Sequence, residues 1–323
     1  MELYPVHFFG LYKRPTVFYR WVVYVLGMLI DKAIEEYINW KGIYSPSGAM
    51  RYKPRLKHFS STIAKNELHE ITTEDVIRFH KTMELKNYSR ATIAYSLTII
   101  KNFFLFWKER GEQVPNPKEI KSISFVTRMK PVVSSEDFDK LSGALNEYKL
   151  DDLMIKLVLH LLWDTGMRVS ELTDLNLSDL QEPSAEGIRT AQIVSKKSSR
   201  YNLVAWSSRT DRLLNLYLGV RLDHHINQDA LFINTKRKRA MRITRRTVQR
   251  WVKIAAQKAG ISKAITPHSF RHGKAHYMLN NGANIRDVQA VLRHVNPVTT
   301  FHYLSLNQKQ FIDVAGKHLK QAA

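Results

Sequence analysis

The 323-residue sequence contains no cysteine. Structural disulfides and thiolate metal sites are therefore excluded, and the composition fits a reducing compartment. Negative charge is also scarce: Asp and Glu number 29 against 50 Lys and Arg, a formal net charge of +21. No acidic residues cluster along the chain as a two-metal nuclease site would require. Long apolar runs are missing too. The stretch TVFYRWVVYVLGMLI over residues 16–30 is interrupted by Arg20 and falls short of the ~20 residues that span a bilayer. Lys13 and Arg14 precede it, but no small-residue cleavage site follows, as a secretory signal requires. Residues 1–27 are read as an apolar extension or peripheral helix, with Met28 as an alternative start. No internal repeat or low-complexity tract is present.

Hydrophobic residues make up 44% of the chain, enough for a packed core, and the length predicts two domains. A folded enzyme of small metabolites rarely needs so large a positive excess. A protein that tracks a phosphate backbone does, because each neutralised phosphate releases counterions. An anionic membrane surface is the weaker alternative.

Helical periodicity runs from Leu29 through Ala33, Ile34 and Tyr37 to Trp40, with Gly42 as a stop signal. A second helix is expected over about 49–65, where Arg51, Lys53, Arg55 and Lys57 crowd together. Thr72 with Asp75 reads as a capping box, and Ser89 caps a longer helix bearing Ile93, Leu97, Ile100, Phe104 and Trp107. That aromatic stripe is core. A Pro-containing polar stretch over 113–131 reads as a linker, separating a domain at 28–112 from one at 132–323. Ser134 with Asp137 opens the second domain, and an apolar helix spans Leu150–Trp163. Strands are expected over 188–194 and 202–206 around a hairpin tip at Lys196–Arg200. Thr244 opens a further helix, which Gly260 closes. Helices follow over Pro267–Asn280 and Asn284–Leu292, then a short one carrying Tyr303 and an amphipathic tail from Gln308 to Lys320.

Arg168, Lys196, His268, Arg271, His294 and Tyr303 can be read as one site. Two guanidiniums can grip the non-bridging oxygens of a phosphodiester. Tyrosine is an oxygen nucleophile that needs a base or a positive field, its ordinary pKa being about 10. Lysine can protonate a departing oxygen, and histidine can hydrogen-bond phosphate or handle the tyrosine proton. Fixed cations take over the electrostatic role of a metal, so no cofactor is expected. Each element alone is a weak signal: a late tyrosine is usually core, and Arg168 with Glu171 could be a helix ion pair. Their conjunction, order and spacing carry the reading.

The segments Thr165-Gly166-Met167-Arg168-Val169-Ser170-Glu171-Leu172, Pro267-His268-Ser269-Phe270-Arg271-His272, Leu292-Arg293-His294 and Thr299-Thr300-Phe301-His302-Tyr303 resemble the boxes of the tyrosine recombinase (phage integrase) family, in its Xer-like form. The resemblance covers the chain from about Met28 onward. It implies a mainly α fold: an N-terminal helical, SAM-like core-binding domain and a mixed α/β, mostly helical catalytic domain with a small antiparallel sheet, together forming a C-shaped clamp on DNA. It implies Arg168 and Arg271 as paired catalytic arginines, with His268, His294 and the hairpin Lys196 beside them. Tyr303 would form a 3′-phosphotyrosyl link, and Glu171 would support. Arg51, Lys53, Arg55, Lys57, Lys197, Arg200, Lys236, Arg237 and Arg293 are candidate DNA contacts.

The implied partners are double-stranded DNA, further copies of the chain in a tetramer on two sites, and a second recombinase or accessory protein, in a cytoplasmic, nucleoid-associated setting. No small-molecule substrate is implied, and rejoining would need no ATP. A type IB topoisomerase and a non-catalytic DNA binder on the same fold are the rival readings. Two departures from the family stand out. Arg293 occupies a position usually held by Gly, where a left-handed backbone would be strained or the side chain would add a phosphate contact. Gly273 stands where a helix former is expected.

Overall fold

The computed structural model describes residues 28–125, 131–195, 200–223, 229–234 and 241–293. The chain divides into two compact units, Met1–Arg128 and Met129–Ala323.

The described residues of the first unit form four α-helices: α1 (Ile30–Tyr44), α2 (Pro46–Ile63), α3 (Thr73–Leu85) and α4 (Arg90–Lys108). The helix starts follow the capping signals. Thr72 and Asp75 cap each other reciprocally at 3.0 and 3.3 Å, and Ser89 accepts from the Thr92 amide. The aromatic stripe of α4 is core: Phe104 and Trp107 are buried with Phe59, Phe79 and Phe103, and Phe59 meets Phe79 edge-on at 5.2 Å. One boundary differs from expectation. α1 runs through Gly42 to Tyr44 and stops where Ser45 leaves helical geometry and Pro46 opens α2. Glycine weakens a helix interior by about 1 kcal/mol and does not terminate it.

The second unit is built around α6 (Leu150–Thr165), which is apolar on nearly all sides and lies among α5 (Ser135–Gly143), the short α7 (Val169–Asp174), α8 (Ser208–Asp223), α9 (Arg245–Lys258) and α10 (Pro267–Asn280). A helix apolar all round belongs in the centre of a core. α11 (Ile285–Leu292) packs on α10. Strands β1 (Arg189–Ser195) and β2 (Arg200–Trp206) form an antiparallel hairpin in which Ser195 pairs with Arg200. Ala191, Ile193, Val204 and Trp206 face the core, while Gln192, Val194, Tyr201 and Leu203 are exposed, the period of two expected of a half-buried sheet. A second small pair, β3 (Ile233–Asn234) and β4 (Met241–Arg242), flanks the basic stretch 236–239; the sequence reading did not anticipate it. Among the described residues no helix is long and apolar enough to cross a membrane.

Gly273 has a plain reason. A Cβ there would lie 2.3 Å from the Val133 carbonyl oxygen, far inside contact distance. α10 can approach the segment before α5 only where no side chain stands.

Candidate active site

The site grows from two helix C-termini. α6 ends at Gly166, in the left-handed region at φ 56°, and α11 ends at Leu292. Each end leaves carbonyl oxygens without intrahelical donors. Arg271, from the second turn of α10 and only 2% exposed, serves both. Its Nη1 donates to the Gly166 carbonyl at 2.7 Å, and its Nη2 donates to the Leu292 carbonyl. One guanidinium thus joins three of the sequence boxes. Gly166 is favoured on two counts: its φ suits glycine, and a Cβ would sit 2.5 Å from Leu292 Cδ2.

Two residues beyond Gly166, Arg168 opens α7. Its backbone N–H donates to Glu171 Oε2 at 2.8 Å, and its Nη1 donates to Oε1 at 2.7 Å. Glu171 is buried while the Arg168 side chain keeps 30% exposure. Burial pushes the Glu171 carboxyl up, but the Arg168 amide, the Arg293 charge and the Arg168 guanidinium outweigh it and hold the pKa below the usual range. The carboxylate therefore stays ionised. Three guanidiniums, from Arg168, Arg271 and Arg293, surround this chain segment with one carboxylate among them. That excess suits an incoming anion.

His268 lies in the first turn of α10, exposed, its ring 4.6 Å from that of His272. Three-residue spacing would put His268 and Arg271 on one helix face, yet the first lies at the surface and the second inside. A helix N-terminus also favours negative charge. A cleft of 350 Å³ opens between α7 and β1, lined by Glu171, Asp174, Asn176, Asp179, Val194 and Arg242. β1 leads directly into Lys196.

Lys196, His294 and Tyr303 lie outside the described residues, as do Lys197, Lys236 and Arg237. Arg200 opens β2. In the first unit Arg51, Lys53 and Lys57 are exposed along α2 and Arg55 is half-buried. Burial first, then the charges of Lys86 and Arg55, lower the pKa of nearby His58.

Arg293 departs from the expectation of a phosphate contact. Its backbone does adopt the left-handed conformation, φ 55° and ψ 48°, but its side chain is turned inward and 6% exposed. Nη2 lies 3.3 Å from Glu171 Oε2, and Nη1 donates to the Val291 and Thr165 carbonyls at 2.6 and 3.4 Å. A basic residue in a glycine position offers no sequence signal for an inward turn. Arg242 also went unnoticed: it donates to the Thr173 and Leu175 carbonyls and so caps the end of α7, the helix carrying Glu171. In the sequence it is one arginine in a basic tract.

Comparison with known proteins gives the family of the chain. Residues 131–310 match the phage integrase family, and residues 34–111 match the phage integrase N-terminal SAM-like domain. Tyrosine recombinase XerC of Thermodesulfovibrio yellowstonii is 31% identical over 82% of this chain and 88% of its own. Tyrosine recombinase XerA of Pyrococcus furiosus is 30% identical over 78% of this chain and 79% of its own. The fold resembles that of the XerH site-specific recombinase bound to a palindromic difH substrate, with a TM-score of 0.70, 20% identity, and coverage of 87% and 83% of the two chains. With a family match across more than half its length and two domains in the family's order, the chain belongs to the phage integrase family of tyrosine-type site-specific recombinases.

Proposed function

We propose that this protein cuts and rejoins duplex DNA through a 3′-phosphotyrosyl intermediate with Tyr303 as nucleophile. The observation that carries the reading is the buried Arg271 guanidinium, which ties the ends of α6 and α11 together beside the partly open Arg168. Fixed charge of this kind stabilises a pentavalent phosphorane without reorganising as the reaction proceeds. In the proposed step the Tyr303 oxygen attacks phosphorus and the bond to the 5′ oxygen breaks. Lys196 gives that oxygen its proton, while His268 and His294 hydrogen-bond the phosphate or take up the tyrosine proton. Attack by a 5′ hydroxyl on the phosphotyrosine reverses the sequence and rejoins a strand. The phosphoester bond energy is conserved, so no ATP is consumed.

The exposed basic residues of α2 would track the phosphate backbone, and four copies would act on two sites. The role would be DNA integration or dimer resolution. Similarity to Xer tyrosine recombinases over most of the chain supports the recombinase reading.

The test incubates wild type and Tyr303→Phe with nicked duplexes spanning the gene's own neighbourhood and quenches them with denaturant. A protease-sensitive protein–DNA adduct is expected with wild type and not with the variant. An adduct of equal yield with Tyr303→Phe would overturn the nucleophile. Relaxation of supercoiled plasmid with no recombinant product would favour a topoisomerase.

A further inference from the structure

Arg293 presents a conflict that only tertiary contacts resolve. A side chain at φ 55° is unfavourable for any residue but glycine, with asparagine and aspartate the common exceptions. A buried arginine must also be matched by acceptors, or its desolvation is uncompensated. Here both demands meet in one place: Nη1 and Nη2 find acceptors, while the buried Nε finds none among the described residues. Glu171 already receives the Arg168 amide and guanidinium, and Arg293 approaches its Oε2 from the opposite box at 3.3 Å. The same guanidinium reaches the Thr165 carbonyl, next to the Gly166 carbonyl that Arg271 holds. Burial lowers the Arg293 pKa, and Glu171 opposes that shift. Arginine remains charged under these conditions.

We infer that Arg293 is a positioning residue: its ion pair with Glu171 anchors the turn after α11 to the start of α7. The position of residue 293 and the orientation of Arg168 are thereby coupled through one carboxylate. With glycine at this position the turn would be held by backbone alone. This chain gives up that backbone freedom for a fixed cation held against Glu171. The anchoring stands on the geometry; its consequence for catalysis rests on the function proposed above.

Hydrogen exchange tests the anchoring without DNA. Arg293→Gly suits the backbone and Glu171→Gln is isosteric, so both variants are expected to fold. Each should speed exchange of the amides flanking residue 293 by about tenfold, as expected when a local opening loses its tether. The double variant should exchange no faster than the quicker single one, and Arg293→Lys should restore part of the protection. Unchanged exchange in either single variant would overturn the inference.

Adduct formation on the nicked duplexes then tests the consequence. Arg293→Gly should form the Tyr303 adduct about tenfold more slowly with DNA affinity unchanged, the pattern of misplaced reacting groups. A rate within about twofold of wild type would remove the catalytic part of the inference. If exchange responds as expected while wild type forms no adduct, the anchoring holds and the proposed function falls.

Discussion

Charge is stored differently in the two units. Among the described residues of the N-terminal unit, Asp75 is the buried ionisable side chain of ordinary charge, and it caps a helix; the basic residues of α2 stay at the surface around an aromatic core. The catalytic unit instead buries Arg271, Arg221, Glu171, Asp152, Asp211 and His160. Each arrangement suits its task. A face that follows DNA needs hydrated charge that exchanges easily with counterions. A reaction centre needs charge fixed before the substrate arrives, in surroundings where each charge acts more strongly than it would in water.

The sharpest way to break this contrast is to remove one arginine from each unit. Arg271→Met leaves two helix-end carbonyls without their donor and should cost about 3 kcal/mol or more in urea unfolding. Arg55→Met in α2 should stay within about 0.5 kcal/mol. Equal losses would show that burial does not separate the two kinds of charge.

Acid gives a second, slightly smaller separation. His160 is buried between Ser142 and Thr210, and burial lowers its pKa to about 4. Above the ordinary value of 6.5 both folded and unfolded chains carry it neutral. Below that value the unfolded chain takes up the proton and the folded one does not, so stability falls as the pH drops toward 4. The total is on the order of 3 kcal/mol. Glu171, whose folded pKa is depressed, adds to the loss at lower pH as it too is protonated. Urea midpoints measured across this range should flatten in His160→Gln. A slope unchanged by that substitution would assign the effect elsewhere.

The smallest effect on stability should come from the exposed basic face of α2. Glutamine in place of Arg51, Lys53 or Lys57 should shift unfolding by less than about 0.5 kcal/mol. Each change should also reduce the slope of log affinity against log salt by about 1 unit. A residue whose replacement leaves the slope intact does not contact phosphate.

Much of the fold was legible in residue order because the signals are local. Thr72, Ser89, Ser134 and Thr244 each cap the helix expected of them. The stripe from Ile93 to Trp107 packs as core, and the hairpin around 196–199 pairs in an antiparallel register. Misreadings arose where a competing local signal won or where an element was too short to show a pattern. Gly42 looked like a stop, but Ser45 and Pro46 end α1. The pair β3 and β4 is two residues long on each side, too short for any period to show.

The sequence by itself determined the helix starts, the apolar faces, the excess of positive charge, and the order of boxes that places the chain in its family. Tertiary structure alone decided which way the arginines turn. Arg168, Arg271 and Arg293 are the same side chain in three boxes, yet one remains 30% exposed, one bridges two helix ends, and one lies inward on Glu171. The reason is physical. Capping and periodicity act within a few residues, whereas the cost of burying a guanidinium depends on acceptors that include ones more than a hundred residues away along the chain. Those acceptors come together only when α6, α7, α10 and α11 have packed.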